Sequence, residues 1–101
     1  MAGTGPKPTN GWVYIIANDA WPGFVKVGCA VDLKDRLKVY QTGSPFRDYH
    51  IVAAHQFADR RHAERRLRDD MRGHRVGRTE WHQVHPSDAR NMLERLKKME
   101  T

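Results

Sequence analysis

The sequence predicts an α+β fold, a small three-stranded antiparallel sheet flanked by helices. Three observations carry that expectation. Aromatic and β-branched runs broken by turn residues open the chain, leucine and alanine then recur at helical spacing, and 101 residues suffice for one compact domain. Hydrophobic residues make up 39% and charged residues 30%, the balance of a folded soluble protein. No window approaches the roughly 18 apolar residues that a bilayer span requires.

Residues 1–10 are rich in Gly, Pro and Thr and lack an apolar stretch. They read as a flexible leader and not a secretory signal, so a cytoplasmic setting is expected. Residues 11–101 are read as a single domain. Residues 11–17, Gly-Trp-Val-Tyr-Ile-Ile-Ala, form a strand ending at Asn18-Asp19. Trp21-Pro22-Gly23 turns the chain, and residues 24–28 return as the second strand of an antiparallel hairpin. Asp32 caps a helix with Leu33, Leu37 and Tyr40 on one stripe, ended by Thr42-Gly43-Ser44-Pro45. Residues 49–57 give the third strand, its alternation blurred by His50, His55 and Gln56. Asp59 caps a second helix, with Ala63, Leu67 and Met71 four apart and Gly73 closing it. Residues 80–84 are briefly extended, and Pro86 opens a last helix that buries Ala89, Met92, Leu93, Leu96 and Met99.

The formal charge of +6 is concentrated. Residues 60–78 hold eight arginines and no lysine against Glu64, Asp69 and Asp70, a local excess of five. Such a stripe displaces counterions from a phosphate backbone, and Arg binds phosphate in a fixed geometry that Lys lacks. Arg60, Arg61, Arg65, Arg68, Arg72 and Arg75 are therefore read as a nucleic-acid-binding ridge, with DNA the expected partner, RNA left open and no membrane. A solvated helix face is the bland alternative. Cys29, the single cysteine, has no disulfide or CxxC partner and reads as a packing residue. His82 and His85 lack a cysteine or acidic companion in a ligand pattern and read as polar surface groups, not a transition-metal site. Trp12, Trp21 and Trp81 read as core or rim packing; Trp12 is the leading exception as a base-stacking platform.

Strand periodicity puts Val13, Ile15 and Ala17 on one face of the first strand and Trp12, Tyr14 and Ile16 on the other. Val25 and Val27 complete the first layer. Tyr14 and Lys26 then share the second face, which must be wet or functional. Arg36 and Tyr40, four apart on the first helix, reach the rim of that face. Glu64 sits at the edge of an apolar stripe, so it either pairs with a nearby Arg or holds a cation. Together these groups supply a base, phosphate-charge stabilisers and one hard-cation ligand.

The ordered set Trp12-Val-Tyr14, Lys26-Val-Gly28, Asp32-x-x-x-Arg36 and helical Glu64 with Leu67 resembles the GIY-YIG nuclease superfamily. Pro22-Gly-Phe-Val-Lys-Val-Gly28, Gln41-Thr-Gly-Ser-Pro45, Ala63-Glu64-x-x-Leu67 and Thr79-Glu-Trp81 narrow it to a branch common in phage and bacterial proteins. A meiotically up-regulated fungal protein carries the same branch. The likeness covers about residues 11–84 and implies the fold expected above. It also implies hydrolysis of phosphodiester bonds, most readily in DNA, with one Mg2+ or Mn2+.

By that resemblance Tyr14 orients or deprotonates the attacking water, Arg36 holds the scissile phosphate, and Glu64 ligates the metal largely through water. Tyr40 matches a base or proton-relay position. Gly28 and Glu80 are site-edge candidates: Gly28 lets backbone pass close to Arg36 or substrate, and Glu80 either orders a site group or pairs with Arg78. Two positions depart from the pattern. Trp12 stands where the first motif has glycine, and Lys26 replaces the second-motif tyrosine, offering a point charge to phosphate and no phenol. A nucleic-acid-binding module of the same fold without strong cleavage is the alternative reading.

Overall fold

Residues 11–18 form the strand on which the rest of the chain is laid. The computed structural model describes residues 7–100. Among them β1 (Gly11–Asn18) lies between two antiparallel neighbours, β2 (Val25–Ala30) and β3 (Tyr49–Phe57). A short β4 (Trp81–His82) pairs with Val25 and Lys26, giving the order β3-β1-β2-β4. The sheet thus has four strands where three were expected. Two ladder residues are too few to announce themselves by alternation, so the extended stretch at 80–84 did not read as a full strand.

Helix starts follow side-chain chemistry. Asp32 opens α1 (Leu33–Thr42) by accepting from the Asp35 N–H, and Asp59 opens α2 (Arg60–Asp70) by accepting from the His62 N–H. At α3 (Pro86–Met99) the cap is His85, whose Nδ1 accepts from the Ser87 N–H. His85 is thus a capping group. α2 stops before Gly73, because the chain tightens into a 3-10 turn at Arg72–His74.

The predicted apolar layer forms. Val13, Ile15, Ala17, Val25 and Val27 pack under Ala63 and Leu67 of α2, Met71 just past its end, and Ala89, Leu93 and Leu96 of α3. Full burial of one such leucine stabilises by roughly 1.5–3 kcal/mol, so this layer holds the fold together. Met99 departs from expectation: as the last helical residue it lies at the rim beside Phe57 and Glu100, 65% exposed.

The opposite face is covered by α1 alone. Tyr14, Ile16 and Ala30 meet Leu33, Leu37 and Tyr40, with Tyr49, Ile51 and Ala54 from β3. A bulge makes this possible. Ile15 opposes Ala53 and Ile16 opposes Ile51, leaving Val52 as an extra residue. Val52 and Ala53 therefore both pack toward α2 and α3, while Ile51 and Ala54 both pack toward α1. That change of phase is why 49–57 alternates poorly in sequence.

Of the N-terminal leader, residues 1–6 lie outside the described residues. Thr9 accepts from the Arg60 N–H at 3.0 Å, and the Arg60 guanidinium donates to the carbonyls of Pro8 and Asn10. Residues 8–10 are thereby tied to the start of α2. Among the described residues no helix is long and apolar enough to cross a membrane.

Candidate functional site

β4 covers only Val25 and Lys26 of β2. From Val27 to Ala30 the outer edge of β2 has no strand partner among the described residues, and the Val27 carbonyl accepts instead from Arg68 at 2.9 Å. Side chains from both faces of the sheet gather at this edge.

On the α1 face, Tyr14 stands opposite Gly28 in the β1–β2 register. Its ring lies across Gly28 so closely that a Cβ at residue 28 would fall on the phenol. Gly28 therefore makes room for Tyr14, and not for Arg36 or substrate as the sequence suggested. The phenol is carried from the central strand toward the outer one, where its oxygen lies 3.2 Å from that of Tyr40 with the rings nearly perpendicular. Tyr14 is only 1% exposed, so the half-buried Tyr40 is the phenol nearer the surface. Burial first, then the hydrogen bond with Tyr14, push the Tyr40 hydroxyl well above its ordinary pKa, with Arg36 pulling weakly the other way. Tyr40 accordingly keeps its proton at neutral pH. That favours a donor or relay role for it over that of a base.

Lys26 completes this side. Its ammonium sits 5.8 Å from the Tyr40 ring centre and 5.0 Å from that of Trp81, with the Glu80 carboxylate at 3.7 Å. Of the two partners left open for Glu80, its carboxylate pairs with Lys26. An ion pair with a carboxylate this exposed contributes little stability; its effect is to aim the ammonium.

Glu64 approaches from the α2 face. Its carboxylate accepts from Arg68, four residues on, at 3.4 Å and lies near the Cys29 thiol. Burial, followed by Glu64 itself, raises the Cys29 pKa, so this cysteine stays a thiol. Cys29 and Ala30 in turn floor a groove of ≈ 230 Å³ that Arg36 of α1 and Arg61 of α2 both line. Arg36 and Tyr40 therefore flank the edge from one side and Glu64 and Arg61 from the other, over the consecutive residues Gly28, Cys29 and Ala30. The predicted residues thus share one sheet edge but fall into two groups, Tyr14, Tyr40 and Lys26 on the α1 side and Glu64 with Arg68 on the α2 side. A wider depression on the outer side of α1, lined by Lys34, Lys38 and Arg47 among others, contains none of the residues at this edge.

The arginine ridge divides. Arg60 is 5% exposed and bound to backbone carbonyls, so it leaves the predicted binding set; it is the clamp on residues 8–10. Arg68 and Arg75 are also engaged by backbone, Arg68 at Val27 and Arg75 at Arg78 and Thr79. Arg61, Arg65 and Arg72 are exposed. Helical spacing puts Arg61, Glu64, Arg65 and Arg68 along one flank of α2, the flank that borders β2. His82 also departs from its expected surface position. It is 5% exposed, its Nδ1 has no hydrogen-bond partner among the described residues, and burial, then Arg68 and Arg75, lower its pKa so that it stays neutral. Among the described residues no group of three or more His, Cys, Asp or Glu side chains could cage a metal.

The family model described as T5orf172 domain matches residues 11–97, from the first residue of β1 into the last turn of α3. The chain belongs to the T5orf172 domain family. No curated protein and no solved structure matches it. T5orf172 domains are related to nuclease-type domains, and the matched span contains every residue placed at the β2 edge. Sequence reasoning missed two members of this T5orf172 edge, Cys29 and Trp81. Trp81 left a signal, since it directly follows Glu80 in the quoted Thr-Glu-Trp motif; Cys29 left only its place beside Gly28.

Proposed function

We propose that this T5orf172 domain is a metal-dependent endonuclease of the GIY-YIG type that hydrolyses phosphodiester bonds, with DNA as its substrate. The observation that carries the reading is the groove over Cys29 and Ala30, which Arg36 of α1 and Arg61 of α2 both line together with Asp32 and Asp35, with Glu64 near Cys29 at its edge. Two converging arginines bind a phosphate and stabilise the charge that develops on it in the transition state. Family membership supports the same class of chemistry.

The donor set fits a hard, well-hydrated cation. One partly exposed carboxylate suffices for magnesium, which keeps most of its water shell, and is far short of a zinc-type cage. Glu64 would hold that ion. When bound, it supplies Lewis-acid charge and lowers the pKa of a coordinated water. Arg36 orients the phosphate with fixed donors. Tyr40, which retains its proton, donates a hydrogen bond to a phosphate oxygen, and the Tyr14 hydroxyl behind it donates to the Tyr40 oxygen. Lys26, aimed by Glu80 and Trp81, adds positive charge alongside.

One observation favours a second reading, a binding module with weak cleavage. Tyr14 is almost wholly shielded and Tyr40 resists ionisation, so neither phenol is a ready base. Plasmid nicking separates the two readings. Wild type is expected to nick with Mg2+ or Mn2+ and not in EDTA, and Glu64→Gln and Arg36→Ala are each expected to lose about 10²-fold or more in rate while DNA binding survives. Wild type that binds DNA yet never nicks in either metal establishes the module instead.

A further inference from the structure

A second groove, of ≈ 220 Å³, opens between the β1–β2 turn and the loop leading from α1 into β3. Trp21 and Phe46 stand on its walls, 51% and 84% exposed, together with Tyr49. Neither Trp21 nor Phe46 belongs to a core cluster, so burial in the core does not account for them. Both walls run directly into the site described above. Trp21 meets Trp81 edge-on at 5.5 Å, and Trp81 carries the Lys26 ammonium; Tyr49 packs on Tyr40 at 5.3 Å.

The polar residues of this groove are already partnered. Asn18, 4% exposed, donates to the Asp48 carboxylate, as does the Ser44 hydroxyl, and the Ala20 N–H donates to Asn18. A carboxylate at this position repels phosphate and accepts from amino or imino groups. The groove therefore suits a flat, uncharged, aromatic occupant beside a position that suits its phosphate.

We propose that this groove takes an unpaired nucleobase, stacked against Trp21 and Phe46, from the strand whose phosphate lies near Lys26. The proposal rests on the nuclease reading and narrows its substrate class. A base inside a duplex has both faces covered by its neighbours and cannot enter, so the preferred strand is single, looped, branched or locally opened. Trp12, the tryptophan that the sequence favoured as a platform, is half-buried within β1, and Trp21 takes that role.

The test is binding in EDTA, where cleavage plays no part, of a fluorescent hairpin closed by a non-nucleotide linker and carrying one unpaired base, and of the same hairpin fully paired. Wild type is expected to prefer the first. Trp21→Ala and Phe46→Ala are each expected to weaken it about 10-fold while leaving the paired hairpin unchanged, with Trp21→Phe restoring most of the affinity. Circular dichroism checks that each variant folds. Equal losses on both hairpins, no loss on either, or a wild-type dimer that Trp21→Ala dissolves each overturn the proposal, the last by assigning the groove to a second copy. Metal-dependent nicking of the paired hairpin by the same variants reports separately on the nuclease reading.

Discussion

Under α2 and α3 the sheet presents Val13, Ile15, Val25 and Val27 to Leu67, Met71 and Leu93, and all of them are at most 2% exposed. Under α1 it presents Tyr14 and Ile16 to Leu33, Leu37 and Tyr40, and no residue of α1 is fully buried. The first face is mostly hydrocarbon, with the buried His82 beside Val25 at its β4 end. The second contains phenols, an ammonium and a half-buried tryptophan next to one another, each with a partner. The comparison shows how a small domain can draw its stability from one side of a sheet and leave the other free to arrange polar groups, because apolar burial is non-directional whereas hydrogen bonding and charge placement depend on geometry.

The largest expected effect tests that division directly. Leu67→Ala, on the dense face, should cost about 2–5 kcal/mol in urea-induced unfolding, and Leu37→Ala, half-buried on α1, only about 1 kcal/mol. Equal costs would show that α1 is as structural as α2.

Gly28→Ala comes next. Its Cβ would displace the Tyr14 ring, an overpacking worth about 1–3 kcal/mol. In a double-mutant cycle with Tyr14→Ala the two costs should be clearly sub-additive, and additivity would mean that the ring does not occupy the space over Gly28.

The smallest effect is electrostatic. Because the folded pKa of Tyr40 lies above its ordinary value of 10.0, the unfolded chain releases this proton first as pH rises. The contribution is intact below about pH 10 and is lost progressively above it. Tyr40→Phe should therefore flatten the alkaline fall in stability, measured as urea midpoints between about pH 9 and 11. An unchanged slope would remove the argument that Tyr40 holds its proton.

Much of the fold was legible. The alternation of 11–17 and the leucine and alanine stripes of the helices name the buried residues, because periodicity is a local property of the chain. The bulge at Val52 and the two-residue β4 were not legible, since each exists only as a pairing with a distant strand. At the site, the face shared by Tyr14 and Lys26 and the neighbouring Arg36 and Tyr40 followed from spacing. That Arg60 is a buried clamp while Arg61 faces a groove did not follow, because adjacent arginines in one helix look alike until something packs against one of them.

By itself the sequence determined the element types, the apolar layer and the residue chemistry available, since propensity, periodicity and charge belong to the chain whatever it folds against. Only tertiary structure decided which of those groups meet. The Tyr14 ring lies over Gly28 because strand register sets the two opposite one another, and Glu64 comes near Cys29 because β2 is bare beyond Lys26 and helices close on that edge from opposite faces.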